Sequence, residues 1–213
     1  TGTELVAPGT ELKPGDIIEF NSQLLGGMAE EWGAESLALP AVADDYESLK
    51  NAVQEALQSC DVLFINAGSS AGREDFTAQL IEELGQVVVH GVAIRPGKPV
   101  VLGAIEGKPV LGLPGYPVSA ALTATLFARP LICRWLGQPE PEPEEIPVQI
   151  SRKVVSPMGV EEFLRVKVGA VGERVIATPL PRGAGTITSL VKADGILRVP
   201  SRWEGFHPGA EVK

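Results

Sequence analysis

The sequence predicts an α/β domain built around a mainly parallel sheet, followed by a small all-β domain. Three observations carry this expectation. From residue 16 to about residue 136, short apolar runs alternate with helix-periodic segments, the pattern of successive strand–helix units. The stretch QPEPEPEEIP, residues 138–147, is interrupted by proline and repels itself through its glutamates, so it cannot continue a helix. Beyond it, VQISRKV, EFLRVKVG and RVIATPL alternate apolar and polar residues between glycines and prolines, as short strands of a β domain or barrel do. The expected division is a domain over 1–138, a linker over 139–147 and a second domain over 148–213.

Each element has a local reason. Residues 16–20 read as a short strand or turn, and Asn21 is a candidate N-cap for a helix whose Leu24, Leu25, Met28 and Trp32 recur at helical spacing up to Gly33. Residues 36–41 read as extended. Asp44 or Asp45 can cap the next helix, in which Leu49, Val53, Ala56 and Leu57 share a face. Residues 61–66 form an apolar strand, and Phe76, Leu80, Ile81 and Leu84 make the following helix amphipathic until Gly85 ends it. Extended runs follow at 87–89, 99–102 and 110–113. A long apolar helix then starts near Pro117, a residue suited to a first helical turn.

Composition narrows the function classes. A net charge of −9 repels nucleic acid and acidic membrane surfaces, so neither is an expected partner. No apolar run approaches the roughly 20 residues needed to span a bilayer. Cys60 and Cys133 fit no metal spacing and read as small apolar residues in helical segments, which makes a reducing cytoplasm the expected location. His90 and His207 have no partner spacing for a metal site. Trp32, Trp135 and Trp203 suit core or interface packing.

The most informative stretch is residues 61–77, DVLFINAGSSAGREDFT. An apolar strand runs into a small-residue loop, then into acidic residues and a helix. Backbone N–H groups left free in such a loop and in the first helical turn form an anion cradle, here at Gly68, Ser69, Ser70 and Gly72. A carboxylate beside it can recruit a divalent cation, so the pattern points to a phosphorylated ligand. The alternative is a plain strand-to-helix turn in which glycine only supplies positive φ.

Read together, the motifs resemble one family. TGTEL at 1–5, VADD at 42–45, NAGSSAGREDF at 66–76, AIRPGKP at 93–99 and GLPGYPVSA at 112–120 occur in the order found in the molybdopterin molybdenumtransferase family, MoeA and the E domain of gephyrin. EEFLRVKV at 161–168 and LPRGAGTITSLVKADGILRVP at 180–200 resemble that family's C-terminal β domain. The resemblance implies a three-layer αβα, molybdopterin-binding-like first domain. It also implies that molybdate is inserted into adenylated molybdopterin with loss of AMP, aided by Mg²⁺ or another divalent cation. Its acidic positions match Glu4, Asp44 and Asp75 as catalytic residues, with Asp44 and Asp75 as metal ligands; oxygen donors of this kind hold Mg²⁺. Either aspartate has the alternative role of a helix cap. Arg95 and Lys98 match positions that contact molybdate or phosphate, and arginine is suited to gripping an oxyanion with two hydrogen bonds. Pro114, Gly115 and Pro117 frame the proline loop, and Arg165, Arg182 and Ser189 match or adjoin polar positions facing the site; Arg165 and Ser189 are taken as substrate-binding.

Four residues depart from the family pattern. Ala67 and Tyr116 replace a glycine and an asparagine, Thr3 stands where an acid is usual, and Gly91 where a lysine is usual. The family also places a strand and two further domains before TGTEL, so this chain is expected to be part of a longer protein that works as a homodimer. The leading expectation is the transferase. A pterin or molybdate sensor without turnover is the alternative, and a related adenylyltransferase is a third because the same pterin is its substrate.

Overall fold

The computed structural model describes residues 1–67, 76–140 and 142–213. The chain divides into two units, one of Thr1–Val92 with Pro99–Glu140 and one of Ala93–Lys98 with Pro141–Lys213.

In the first unit, β1 (Leu5–Val6) and β2 (Ile17–Ile18) form a small parallel ladder before α1 (Asn21–Glu31) and α2 (Tyr46–Ala56). Then come β3 (Leu63–Ala67), α3 (Phe76–Leu84) and β4 (Gly85–His90). Residues 36–41, expected to be extended, form no strand. After a short strand belonging to the second unit, β5 (Ile94–Arg95), come β6 (Val101–Ile105) and β7 (Lys108–Pro114).

The main sheet has the order β3–β7–β6–β4. β3 and β7 are parallel, whereas β6 runs antiparallel to both β7 and β4. The reason is a two-residue turn between β6 and β7, in which Glu106 and Gly107 have φ of 51° and 78°, a geometry that matches hairpin twist. The expected α/β fold is present, with a mixed sheet where mainly parallel pairing was expected.

Strand alternation sets the layers. Ile65, Val101, Ile105 and Val110 meet Leu49, Val53 and Leu57 of the α2 region and Leu80 and Ile81 of α3 on one face. Val100, Leu111 and Leu113 meet Leu25 of α1 and Ala120, Ala124 and Ala128 on the other. Leu80 and Ile81 are fully buried, and each such side chain contributes about 1.5–3 kcal/mol through burial. The apolar helix expected from Pro117 is divided into α4 (Pro117–Thr123), a π-helical stretch (Ala124–Ala128) and α5 (Arg129–Trp135). Thr123 donates its hydroxyl to the carbonyls of Ser119 and Ala120, Thr125 donates to that of Ala121, and Pro130 lacks an N–H. All three loosen regular helical bonding.

Asp45, not Asp44, caps α2. Its carboxylate accepts the Ser48 N–H at 2.9 Å, and hydrogen bonding from the Ser48 hydroxyl first and from this N–H second holds its pKa below the ordinary aspartate value. A depressed carboxyl pKa contributes stability above its unfolded value, and that contribution is lost as pH falls through the folded value. Asp45→Ala is therefore expected to lower the urea midpoint at pH 7, with the gap to the unaltered protein closing as acid titrates the cap below about pH 4.

The second unit has β8 (Val148–Ile150), β9 (Val154–Val155), β10 (Glu161–Val171), β11 (Arg174–Pro179), α6 (Thr188–Lys192), β12 (Gly195–Val199), β13 (Gly205–Phe206) and β14 (Glu211–Val212). Its sheet runs β12–β10–β11–β8–β14, with β13 paired to β9 apart from it. Ile150, Val154, Leu164, Val166, Ala177, Leu197 and Val199 fill its core. β5 joins this sheet: Ile94 and Arg95 pair in parallel with Glu161 and Glu162, and the Glu161 N–H donates to the Ala93 carbonyl at 2.8 Å. Residues 93–98, expected within the α/β domain, therefore belong to the β unit because β10 supplies their backbone partner.

Cys133 is buried in α5, while Cys60 lies past the end of α2 rather than within a helix. Trp32 packs on the α1 side of the sheet, whereas Trp135 and Trp203 are exposed. No described helix is long and apolar enough to cross a membrane.

Candidate functional site

Parallel pairing of Asn66 with Leu113 and of Ala67 with Pro114 brings the carboxyl ends of β3 and β7 out side by side. Open α/β sheets bind ligands at such ends. Three elements are tied together there. Asn66 donates its side-chain amide to the Pro114 carbonyl at 2.9 Å. Asn21 donates to the Asn66 side-chain oxygen at 2.8 Å and to the Gly115 carbonyl at 2.7 Å. Asn21 is thus not the helix cap its position suggested; Phe20 is the N-cap, and Glu19 before it accepts the Ser22 N–H at 2.9 Å. Asn21 is 8% exposed, and its own side-chain oxygen has no partner among the described residues. Sequence reasoning missed Asn21 and Asn66 because a cap signal explained the first and the strand pattern absorbed the second.

Two of the three expected acids adjoin this strand end. The nitrogen of Thr1 donates to the Asn66 carbonyl, the Gly2 N–H donates to the Val42 carbonyl at 3.1 Å, and the Asp44 N–H donates to the Thr3 hydroxyl at 3.3 Å. These bonds lay residues 1–5 beside residues 42–44. Asp44, Glu19 and Glu4 all place negative charge near the Thr1 nitrogen. Glu4 is half-buried and Asp44 is exposed, and Asp44 is released from capping by Asp45. Glu19 is an acid near this place that the motif reading did not single out. No group of three histidine, cysteine, aspartate or glutamate side chains suited to a metal gathers among the described residues. Two carboxylates with hard oxygen donors still fit Mg²⁺, which commonly takes one or two protein carboxylates and completes its shell with water and phosphate oxygens.

Asp75 and the cradle residues Gly68, Ser69, Ser70 and Gly72 lie outside the described residues. Pro114 ends β7 and Pro117 starts α4. Thr3, where an acid is usual, uses its hydroxyl to hold the Asp44 backbone. Gly91 has φ of 79°, a conformation that a lysine would adopt only with strain. Tyr116 occupies the N-cap position of α4 and is half exposed.

The second unit carries a pocket of about 200 Å³ lined by Arg95, Pro96, Glu162, Arg165, Arg182 and neighbours on β10. Each water occupies about 30 Å³ of liquid, so a tetrahedral oxyanion fits with room to spare. Three guanidinium groups against one carboxylate leave it two positive charges. Arg165 is 5% exposed. It donates to the carbonyls of Pro181 at 2.8 Å and Gly183 at 3.3 Å, while its buried Nε has no partner among the described residues. Burial lowers its pKa from the ordinary arginine value, and a buried donor without an acceptor is costly unless a ligand supplies one. Arg182, named by the motif reading but not assigned to substrate, joins the pocket together with Glu162, a fully buried glutamate that nothing in the sequence marks. Of the expected four, Arg95 and Arg165 line the pocket. Lys98 is exposed and outside the lining, and the Ser189 hydroxyl donates to the Thr186 carbonyl at 2.6 Å instead.

The family described as "Probable molybdopterin binding domain" matches residues 1–134, and that described as "MoeA C-terminal region (domain IV)" matches residues 147–213. A Methanocaldococcus jannaschii protein named "Putative molybdopterin biosynthesis protein MJ0666" is 38% identical over 93% of this chain and 47% of its own length. The molybdopterin molybdenumtransferase of Bacillus subtilis is 29% identical over 100% of the chain and 50% of its own. A crystal structure of the molybdopterin biosynthesis MoeA protein from Pyrococcus horikosii superposes with a TM-score of 0.84 at 41% identity, covering 99% of this chain and 51% of that one. The chain spans about half the length of these relatives.

Proposed function

Because this chain belongs to the MoeA family of molybdopterin molybdenumtransferases, we propose that it binds pterin phosphate and molybdate in an enzyme that inserts molybdate into adenylated molybdopterin with release of AMP. The arginine pocket carries the reading: a cavity with two surplus positive charges and an unpaired, buried guanidinium nitrogen suits a dianionic tetrahedral oxyanion. Molybdate is such an ion. Arg95 and Arg165, which line the cavity, grip its oxygens.

In the first unit, the small-residue loop at Gly68, Ser69, Ser70 and Gly72 receives the phosphate through backbone N–H groups, and Pro114, Gly115 and Pro117 shape the adjoining loop. Asn21 and Asn66 hold the strand ends from which both loops depart. Glu4, Asp44 and Asp75 would hold Mg²⁺, which when bound neutralises charge developing at the pyrophosphate. Asp44 and Glu4 otherwise orient water by accepting its hydrogen bonds. The same reading carries a cytoplasmic homodimer, which sedimentation equilibrium checks.

Full-length protein supplied with adenylated molybdopterin, molybdate and Mg²⁺ is expected to release AMP in proportion to molybdate inserted, and Asp75→Asn to abolish most of that release. A second reading, a sensor that binds without turnover, is favoured by one observation: where the family has an acid, the Thr3 hydroxyl only ties down the Asp44 backbone. Calorimetric binding of the pterin substrate with no AMP formed would select it.

A further inference from the structure

Glu162 is 1% exposed, yet it sits among the pocket's three arginines. Both of its oxygens are engaged by Arg182, with Nε at 2.8 Å and Nη2 at 3.4 Å, and Arg95 Nε lies 3.7 Å away. The backbone makes this possible. Parallel pairing places Arg95 opposite Glu162 on the neighbouring strand, and Arg182 is steadied by a further bond from Nη2 to the Val155 carbonyl at 2.6 Å. Arg95 and Arg182 are 55% and 43% exposed, so without a fixed partner each would spread over many solvated rotamers. Arg165 needs no such help, because the carbonyls of Pro181 and Gly183 already hold it.

A negative charge in an anion pocket weakens attraction, so its presence calls for a compensating role. Resting on the oxyanion reading above, we infer that Glu162 is a positioning residue, which holds the Arg95 and Arg182 guanidinium groups with their remaining N–H donors turned to one tetrahedral oxyanion. Pre-ordering two long side chains spares each the rotamer entropy otherwise lost on binding. Glutamine at this position cannot replace it: one of its two terminal atoms is an NH₂ donor, which would face the donors of the Arg182 fork.

The test titrates molybdate into the unaltered protein, Glu162→Gln and Arg182→Lys, with thermal unfolding followed in parallel. Arg182→Lys keeps the charge but replaces the fork by a point donor, so it breaks the same contact from the other side. The expected result is a molybdate Kd raised about tenfold or more in both variants, one ordered arginine being equivalent to at least the 1.4 kcal/mol that a factor of ten represents. In the full-length enzyme the KM for molybdate rises while that for the adenylated pterin stays unchanged, a split that general loosening of the fold would not produce. If Glu162→Gln fails to fold, Arg182→Lys decides. Unchanged or tighter molybdate binding in a folded variant overturns the positioning role and leaves the oxyanion reading in place. No molybdate binding by the unaltered protein overturns both.

Discussion

Asp44→Asn is expected to reduce AMP release by the full-length enzyme about 100-fold while leaving the unfolding midpoint unchanged. The separation of these two effects is the informative part. Adjacent aspartates before α2 compete for one capping role, and the hydrogen bond from the Ser48 N–H gives it to Asp45. Asp44 therefore spends nothing on the helix, and its backbone is fixed instead through the Thr3 hydroxyl at the strand end. On the function proposed above, losing one carboxylate charge that would help hold a cation removes about 3 kcal/mol of transition-state stabilisation, equivalent to about two powers of ten. Asp45→Ala is the control with the opposite profile: it removes the acceptor of the Ser48 N–H, moves the midpoint and spares turnover. Normal AMP release by Asp44→Asn would remove Asp44 from the chemistry.

The second large effect concerns Gly112 in β7. A Cβ placed there would stand 2.7 Å from Thr77 Cγ2 and 3.2 Å from Val101 Cβ, in a part of the core where Thr77 and Val101 are both buried. Overpacking of this kind costs about 1–3 kcal/mol, so Gly112→Ala is expected to lower the urea midpoint markedly. Thr77→Ser deletes the closer methyl. The double variant is expected to be more stable than the two single losses predict, with a coupling of about 1 kcal/mol, because the residues share one contact. Strict additivity would show that the strain lies elsewhere. Gly112 precedes Pro114 and Gly115 by two and three residues, so the same variant displaces the proline loop and is expected to weaken pterin binding.

The sequence conveyed what local periodicity and short motifs encode. The apolar faces of α2 and α3, the strand at 63–67, the start of α4 at Pro117 and the β-rich tail were all readable, because each rests on neighbours in the chain. The hairpin of β6 with β7 was not, since the Glu106–Gly107 turn lacks the asparagine or aspartate that usually signals such a turn. The pairing of residues 94–95 with the β unit was not readable for a related reason: the partner of Ile94 and Arg95 lies 67 positions onward in β10, and no local pattern records so distant a pairing. Arg95 and Arg165, which line the pocket, stand in short charged motifs and could be singled out locally. Asn21 and Glu162 could not, because their roles follow from burial beside groups remote in sequence.

That excursion of six residues has a consequence for dissecting the protein. Cutting at the proline–glutamate stretch looks like the natural way to obtain two independent modules, yet a piece beginning at Val148 would lack the strand that carries Arg95 and would leave the Glu161 amide without its acceptor at Ala93. The C-terminal module is discontinuous along the gene. Any graft, swap or truncation that respects it must bring the 93–98 segment along.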